Sequence, residues 1–155
     1  MLRWAIIGAG RIARKVGMAM KQSSSVDIRA VYARRPVAAQ ELADALGAPH
    51  MYDVLDGVWQ DDTIDAVYIA LPNHLHASVA FAAIAAGKHV LIEKPMGCSA
   101  TEVASIQQAA HHAGSGDGGD DVSIPSPNSA DISDDRRRRY WRGATGTGEF
   151  RLSPR

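Results

Sequence analysis

The stretch Leu2-Arg3-Trp4-Ala5-Ile6-Ile7-Gly8-Ala9-Gly10-Arg11-Ile12-Ala13 decides the fold. A short, mostly apolar run of strand character ends in a Gly-x-Gly-x-x-Ala turn, and a helical pattern carries on to about residue 22. In such a turn Gly8 permits the tight reversal, Gly10 lets backbone approach a phosphate, and Ala13 keeps the helix close to the strand. The start of the helix adds unpaired N–H groups and the positive end of its dipole. Gly8, Ala9, Gly10, Arg11 and Ile12 are therefore candidate contacts of a pyrophosphate. Taken alone the glycine pattern is an ordinary turn in an α/β protein; its place between a strand and a helix, in a unit of about thirty residues, gives it weight.

Outward from this turn, strands and helices alternate. Residues 26–33 are rich in β-branched and aromatic side chains and form a second strand. Pro36 suits the first turn of a helix that continues over 37–46 until Gly47 stops it. His50-Met51-Tyr52 reads as a short third strand, followed by a weak helix over 54–60. Ala66-Val67-Tyr68-Ile69-Ala70-Leu71 is a continuous apolar strand, as expected where helices cover both faces of a sheet. A helix over 75–86 ends at Gly87, residues 88–92 give strand five, and Ser99-Ala100-Thr101-Glu102 has the spacing of a capping box opening a last helix through His112. The alternation predicts an α/β domain: a Rossmann-type, doubly wound parallel sheet of strand order 3-2-1-4-5.

Which dinucleotide such a domain takes depends on the carboxyl end of strand two. Asp27 lies nineteen residues after Gly8, a tempting distance for a ribose-binding carboxylate, but it falls at the start of the strand. The end reads Tyr32-Ala33-Arg34-Arg35, with no acid to repel a 2′-phosphate and two guanidinium groups to bind one. This favours NADP, with NAD as the other possibility; the plainer reading leaves Arg34 and Arg35 as solvated loop residues.

A second constellation falls on the same sheet edge. Leu71-Pro72-Asn73-His74-Leu75-His76 ends strand four and Glu93-Lys94-Pro95 ends strand five. A lysine held there can donate to a substrate oxygen and stabilise developing alkoxide charge. Glu93 can hold that lysine or contact the cofactor. Singly, Lys94 is an ordinary strand-end charge, and His74 and His76 are ordinary helix-start residues.

Together these pieces resemble the glucose–fructose oxidoreductase, inositol dehydrogenase and rhizopine-catabolism family (Gfo/Idh/MocA). The resemblance runs from Met1 to about Ala113. It rests on residues 6–13, on Ile64-Asp65-Ala66-Val67-Tyr68-Ile69-Ala70, on Pro72-Asn73-His74-Leu75-His76, and on Gly87-Lys88-His89-Val90-Leu91-Ile92-Glu93-Lys94-Pro95. It implies NAD(P)-dependent oxidation or reduction at a sugar, polyol or diol hydroxyl or carbonyl. It maps the lysine of the family's Glu-Lys-Pro motif onto Lys94 as the catalytic or substrate-positioning residue. Leu71, Pro72, Asn73, His76, Glu93 and Pro95 fall, by the same resemblance, at the cofactor, the last five near its nicotinamide half. The arginines ending strand two look like the NADP-preferring, dihydrodiol-dehydrogenase-like branch.

Family members continue with a sixth strand and a larger domain that supplies substrate contacts, a second acid or base and the subunit interface. Here the texture changes at Gly114. Half of the 14 glycines lie from that residue onward, among Ser, Pro and Asp. The expected organisation is a dinucleotide-binding domain over residues 1–113, its sixth strand lost, and a low-complexity tail over 114–155, disordered or out of frame. Negligible turnover by this chain alone follows. The rival readings are a non-catalytic dinucleotide-binding module and an inactive gene fragment. Arg136-Arg137-Arg138-Arg139 could meet phosphates, but Asp131, Asp134 and Asp135 blunt its field, so no nucleic-acid partner is expected.

Bulk properties agree. At 155 residues there is room for one domain with a real core. Lys and Arg balance Asp and Glu, 17 against 17, so no global field recruits nucleic acid or anionic membrane. The single cysteine, Cys98, excludes an internal disulfide and suits a reducing compartment. No run approaches the ~20 apolar residues of a membrane span, and no leader pattern precedes the first strand. A cytoplasmic location is the expectation.

Overall fold

The computed structural model describes residues 1–114. Five parallel strands, β1 (Leu2–Ile7), β2 (Val26–Tyr32), β3 (His50–Tyr52), β4 (Ala66–Ile69) and β5 (His89–Ile92), form one sheet of order β3-β2-β1-β4-β5. The helices between them are α1 (Arg11–Met20), α2 (Pro36–Leu46), α3 (Leu55–Gln60) and α4 (His76–Ala85), and α5 (Ala100–Gly114) follows β5. This is the doubly wound Rossmann sheet read from the sequence. The expected tail, with its arginine run, lies almost wholly outside the described residues.

Helices cover both faces, which is why the central strands lack in–out alternation. On one face α1 and α2 bury Ala13, Leu42, Ala43 and Leu46 against Ile6, Ile28, Val31 and Tyr68. On the other, α3, α4 and α5 bury Val58, Trp59, Ala80, Phe81, Ile84 and Ile106 against Ile7, Ala30, Val67 and Ile69. All four residues of β4 are buried, as a strand sandwiched at mid-sheet requires.

Local chemistry sets the element ends. Gly47 closes α2 in the left-handed conformation (φ 76°), and its N–H and that of Ala48 cap the last carbonyls of the helix. The capping box at α5 forms with a twist: Ser99 Oγ accepts the Glu102 N–H at 3.1 Å, but the Glu102 carboxylate reaches past Ser99 to the Cys98 N–H at 2.6 Å. Strand four is shorter than its apolar run suggests. It stops at Ile69, although the Ala70 N–H still donates to Ile7 O at 2.9 Å, and the chain bends at Leu71 ahead of Pro72. Residues Asn73–Leu75 then make one 3₁₀ turn, so α4 begins at His76 rather than 75.

At the amino ends of the strands, away from the glycine turn, Asp65 accepts the Arg3 backbone N–H at 3.0 Å and its Nε–H at 2.9 Å. These bonds hold the Asp65 carboxyl well below the usual carboxylate range. Lys88 donates to the carbonyls of Asp61 (2.8 Å) and Ile64 (2.9 Å), tying the approach to β5 onto the loop before β4.

Candidate functional site

The carboxyl ends of β1, β4 and β5 meet at one edge of the sheet. Gly8 has φ 118°, open to glycine and rarely adopted by other residues, and a Cβ on it would stand 2.6 Å from the Ala70 carbonyl oxygen. Its N–H donates to Tyr32 O at 2.8 Å, which brings the end of β2 beside the turn. Gly10 differs: it has ordinary φ (−79°), and a Cβ there would meet nothing within 4 Å. Glycine at 8 thus serves the fold, and glycine at 10 leaves backbone bare toward open space. Gly10 also caps α1, whose first turn holds no acidic side chain, so its N–H groups and dipole face outward uncompensated.

That open space is a cleft of about 340 Å³, lined by Gly10, Arg11, Ile12, Ala70, Leu71, Asn73, Glu93 and Lys94. Seven of these eight are residues singled out from the sequence; Ala70 is the addition. Lys94 and Asn73 are exposed, while Glu93 is partly buried. A bare glycine backbone at a helix N-terminus, lining the same cleft as a lysine, fits a dinucleotide, whose pyrophosphate the free amides suit.

The remaining candidates frame the cleft without lining it. Gly8 and Ala9 form the turn beneath it. Pro72 starts the 3₁₀ turn, and its carbonyl accepts the Leu75 N–H at 2.9 Å. His76 is wholly buried, with Nε2 2.8 Å from Leu71 O and Nδ1 2.9 Å from Pro95 O. It stands between the loops that follow β4 and β5, touching a backbone carbonyl of each. The Lys94–Pro95 peptide is cis. Arg34 and Arg35 are exposed beyond the end of β2, outside the cleft lining, with Arg35 at the N-cap of α2. Asp27 sits at the opposite end of β2, in register with Arg3 and 3.7 Å from Arg29.

One site residue escaped the sequence reading. Tyr68, 2% exposed in the middle of β4, donates its hydroxyl to Glu93 Oε1. The bond from Tyr68 holds the Glu93 carboxyl below its ordinary value, while burial, and then the carboxylate, push the phenol upward. The signal was a single polar side chain in an aliphatic strand, since a buried phenol needs a partner. Among the described residues no cluster of His, Cys, Asp and Glu could hold a metal ion, and no helix is long and apolar enough to cross a membrane.

Fold and cleft define a dinucleotide-binding Rossmann domain. The chain belongs to the Gfo/Idh/MocA oxidoreductases, whose NAD-binding Rossmann-fold model matches residues 2–115. It is 38% identical over 113 residues to D-xylose 1-dehydrogenase (NADP(+)) 2 of Haloferax volcanii, covering 73% of this chain and 35% of that protein. It is 36% identical over 110 residues to the scyllo-inositol 2-dehydrogenase (NADP(+)) IolU of Bacillus subtilis, covering 71% and 34%. Among solved structures, KijD10, a 3-ketoreductase from Actinomadura kijaniata in complex with NADP, superposes with a TM-score of 0.70 at 29% identity, covering 73% of this chain and 35% of that one. The chain thus spans about a third of the length of these relatives.

Proposed function

We propose that this domain binds NADP, and NAD less tightly, as the cofactor-holding part of an oxidoreductase acting on a sugar, polyol or diol hydroxyl or carbonyl. The observation that carries the reading is the cleft itself, lined by bare Gly10 backbone and by Lys94 beside an anchored Glu93. The substrate class rests on relatives named for xylose and scyllo-inositol, and the cofactor on their NADP specificity together with Arg34 and Arg35.

Gly8, Ala9, Gly10, Arg11 and Ile12 hold the pyrophosphate through α1's free amides. Arg34 and Arg35 receive the 2′-phosphate as charge-assisted donors. Leu71, Pro72, Asn73, Glu93 and Pro95 shape the nicotinamide half, with His76 holding Leu71 and Pro95 from beneath. When bound, the cofactor supplies or takes up a hydride. Lys94 is the catalytic residue: its ammonium donates to the oxygen on the reacting carbon and offsets negative charge building there. Among the described residues that line the cleft, the other charged groups are Arg11 and Glu93. Among the described residues lining the cleft no histidine or aspartate joins Lys94, so we read this domain as holding the cofactor with negligible turnover of its own. The lone Cys98 supports a reducing, cytoplasmic setting.

Titration of the chain with NADPH and NADH, followed by nicotinamide fluorescence, tests the reading. Saturable binding with NADPH preferred is expected; no binding of either overturns it. Ordinary turnover of D-xylose or an inositol by this chain would overturn the assignment of negligible activity.

A further inference from the structure

Tyr68 is the only polar side chain of β4, flanked in the sheet by Ile6 of β1 and Leu91 of β5. Its hydroxyl reaches across to the strand-five end and donates to Glu93 Oε1. The other carboxylate oxygen, Oε2, accepts the backbone N–H of Lys94 at 3.1 Å. Glu93 is thus held at both oxygens, once from inside the sheet and once by the backbone of the proposed catalytic lysine. The chain from Tyr68 through Glu93 to Lys94 runs from the buried core to the wall of the cleft.

We propose that Tyr68 is a positioning residue for the nicotinamide half of the site, acting through Glu93 to fix the carboxylate and the Lys94 backbone at the cleft. The inference rests on the dinucleotide reading above. Phenylalanine would fill the same buried space, so packing alone does not call for the hydroxyl. The titratable and charged groups around Glu93 are Tyr68 from β4, Lys94 beside it, His76 from α4 and Arg11 at the α1 end of the cleft. Of these, Tyr68 donates the side-chain hydrogen bond, and that bond is the foremost cause holding the Glu93 carboxyl ionised to lower pH.

The test is Tyr68→Phe in the full 155-residue chain, with Tm measured first and NADPH and 2′,5′-ADP then titrated from pH 4 to 8. The adenosine-half ligand 2′,5′-ADP does not reach the strand-five end. Loss of the hydroxyl should weaken NADPH by about three- to tenfold at neutral pH, the range for one hydrogen bond, and leave 2′,5′-ADP unchanged. The acid limb of NADPH binding should move to higher pH, because Glu93 then protonates earlier. In a Glu93→Ala background Tyr68→Phe should add nothing further, since its route to the site is gone. An unaltered NADPH affinity and acid limb, an equal loss for both ligands, or an undiminished effect in the Glu93→Ala background would each overturn the inference. If 2′,5′-ADP and NADPH both fail to bind the unmodified chain, the cofactor reading falls and takes this inference with it.

Discussion

Gly8 and Ala70 meet backbone to backbone: the hydrogen that stands in place of a side chain on Gly8 points at the Ala70 carbonyl, where a Cβ would be only 2.6 Å from the oxygen. That contact draws the ends of β1 and β4 together and forms the base of the cleft.

Substituting the two glycines of the turn therefore has opposite consequences. Gly8→Ala combines an unfavourable positive φ with a backbone clash, and should cost at least about 2 kcal/mol of stability. Gly10→Ala meets no neighbour within 4 Å and should leave Tm near its original value. On the proposed reading its methyl group enters the space of the pyrophosphate, so NADPH affinity should drop. Thermal melting beside a fluorescence titration of each variant separates the effects; a well-folded Gly8→Ala would contradict the first.

Arg34 and Arg35 set the cofactor preference if they meet the 2′-phosphate. The double change Arg34→Ala with Arg35→Ala should weaken NADPH by roughly 10- to 100-fold, the worth of one or two charge-assisted bonds, while NADH changes little. NADPH binding should also lose much of its salt dependence. An unchanged ratio of NADPH to NADH affinity removes these residues from the site.

Two lysines of the strand-five motif should part company on mutation. Lys88→Met strips the donor from the Asp61 and Ile64 carbonyls and should lower stability by about 1–3 kcal/mol, with NADPH binding retained in the folded fraction. Lys94→Met leaves an exposed position and should leave Tm unaltered. Chemical denaturation resolves the pair, and a destabilised Lys94→Met would show that Lys94 has a structural duty.

Acid should loosen the Arg3–Asp65 tie. The folded state holds the Asp65 carboxyl below its unfolded value, chiefly through bonds from Arg3, so its stabilisation is complete above the unfolded value of about 3.9 and is lost as pH falls toward the folded one. Asp65→Asn should therefore lower Tm by a constant amount between pH 7 and about pH 4, and by progressively less below that. A penalty independent of pH down to 2 would mean that the charge contributes nothing.

Much of this fold is legible in the sequence because its signals are local. The glycine turn, the Gly47 stop and the mostly apolar run at 66–71 each follow from rules acting over a few residues, and the alternation of strands with helices points to the doubly wound sheet. The edge of the sheet that carries the site follows in turn, which is why seven residues named from sequence line the cleft. The rest depends on contacts between distant residues. Tyr68 and Glu93 are 25 residues apart, and only the β4–β5 register brings phenol to carboxylate. The same holds for His76: the family resemblance puts it near the cofactor, whereas its burial between Leu71 O and Pro95 O depends on contacts with the segments after β4 and β5. The Glu102 bond to Cys98 shows the limit of motif spacing, which identifies the helix start but not the atom a flexible carboxylate chooses.

The buried imidazole of His76 has a mechanical consequence. With one nitrogen against Leu71 O and the other against Pro95 O, it is a strut between the two loops that carry Asn73 and Lys94. Neither loop can shift without disturbing the ring that touches both, so the spacing between the chain segments after β4 and β5 depends on one buried side chain.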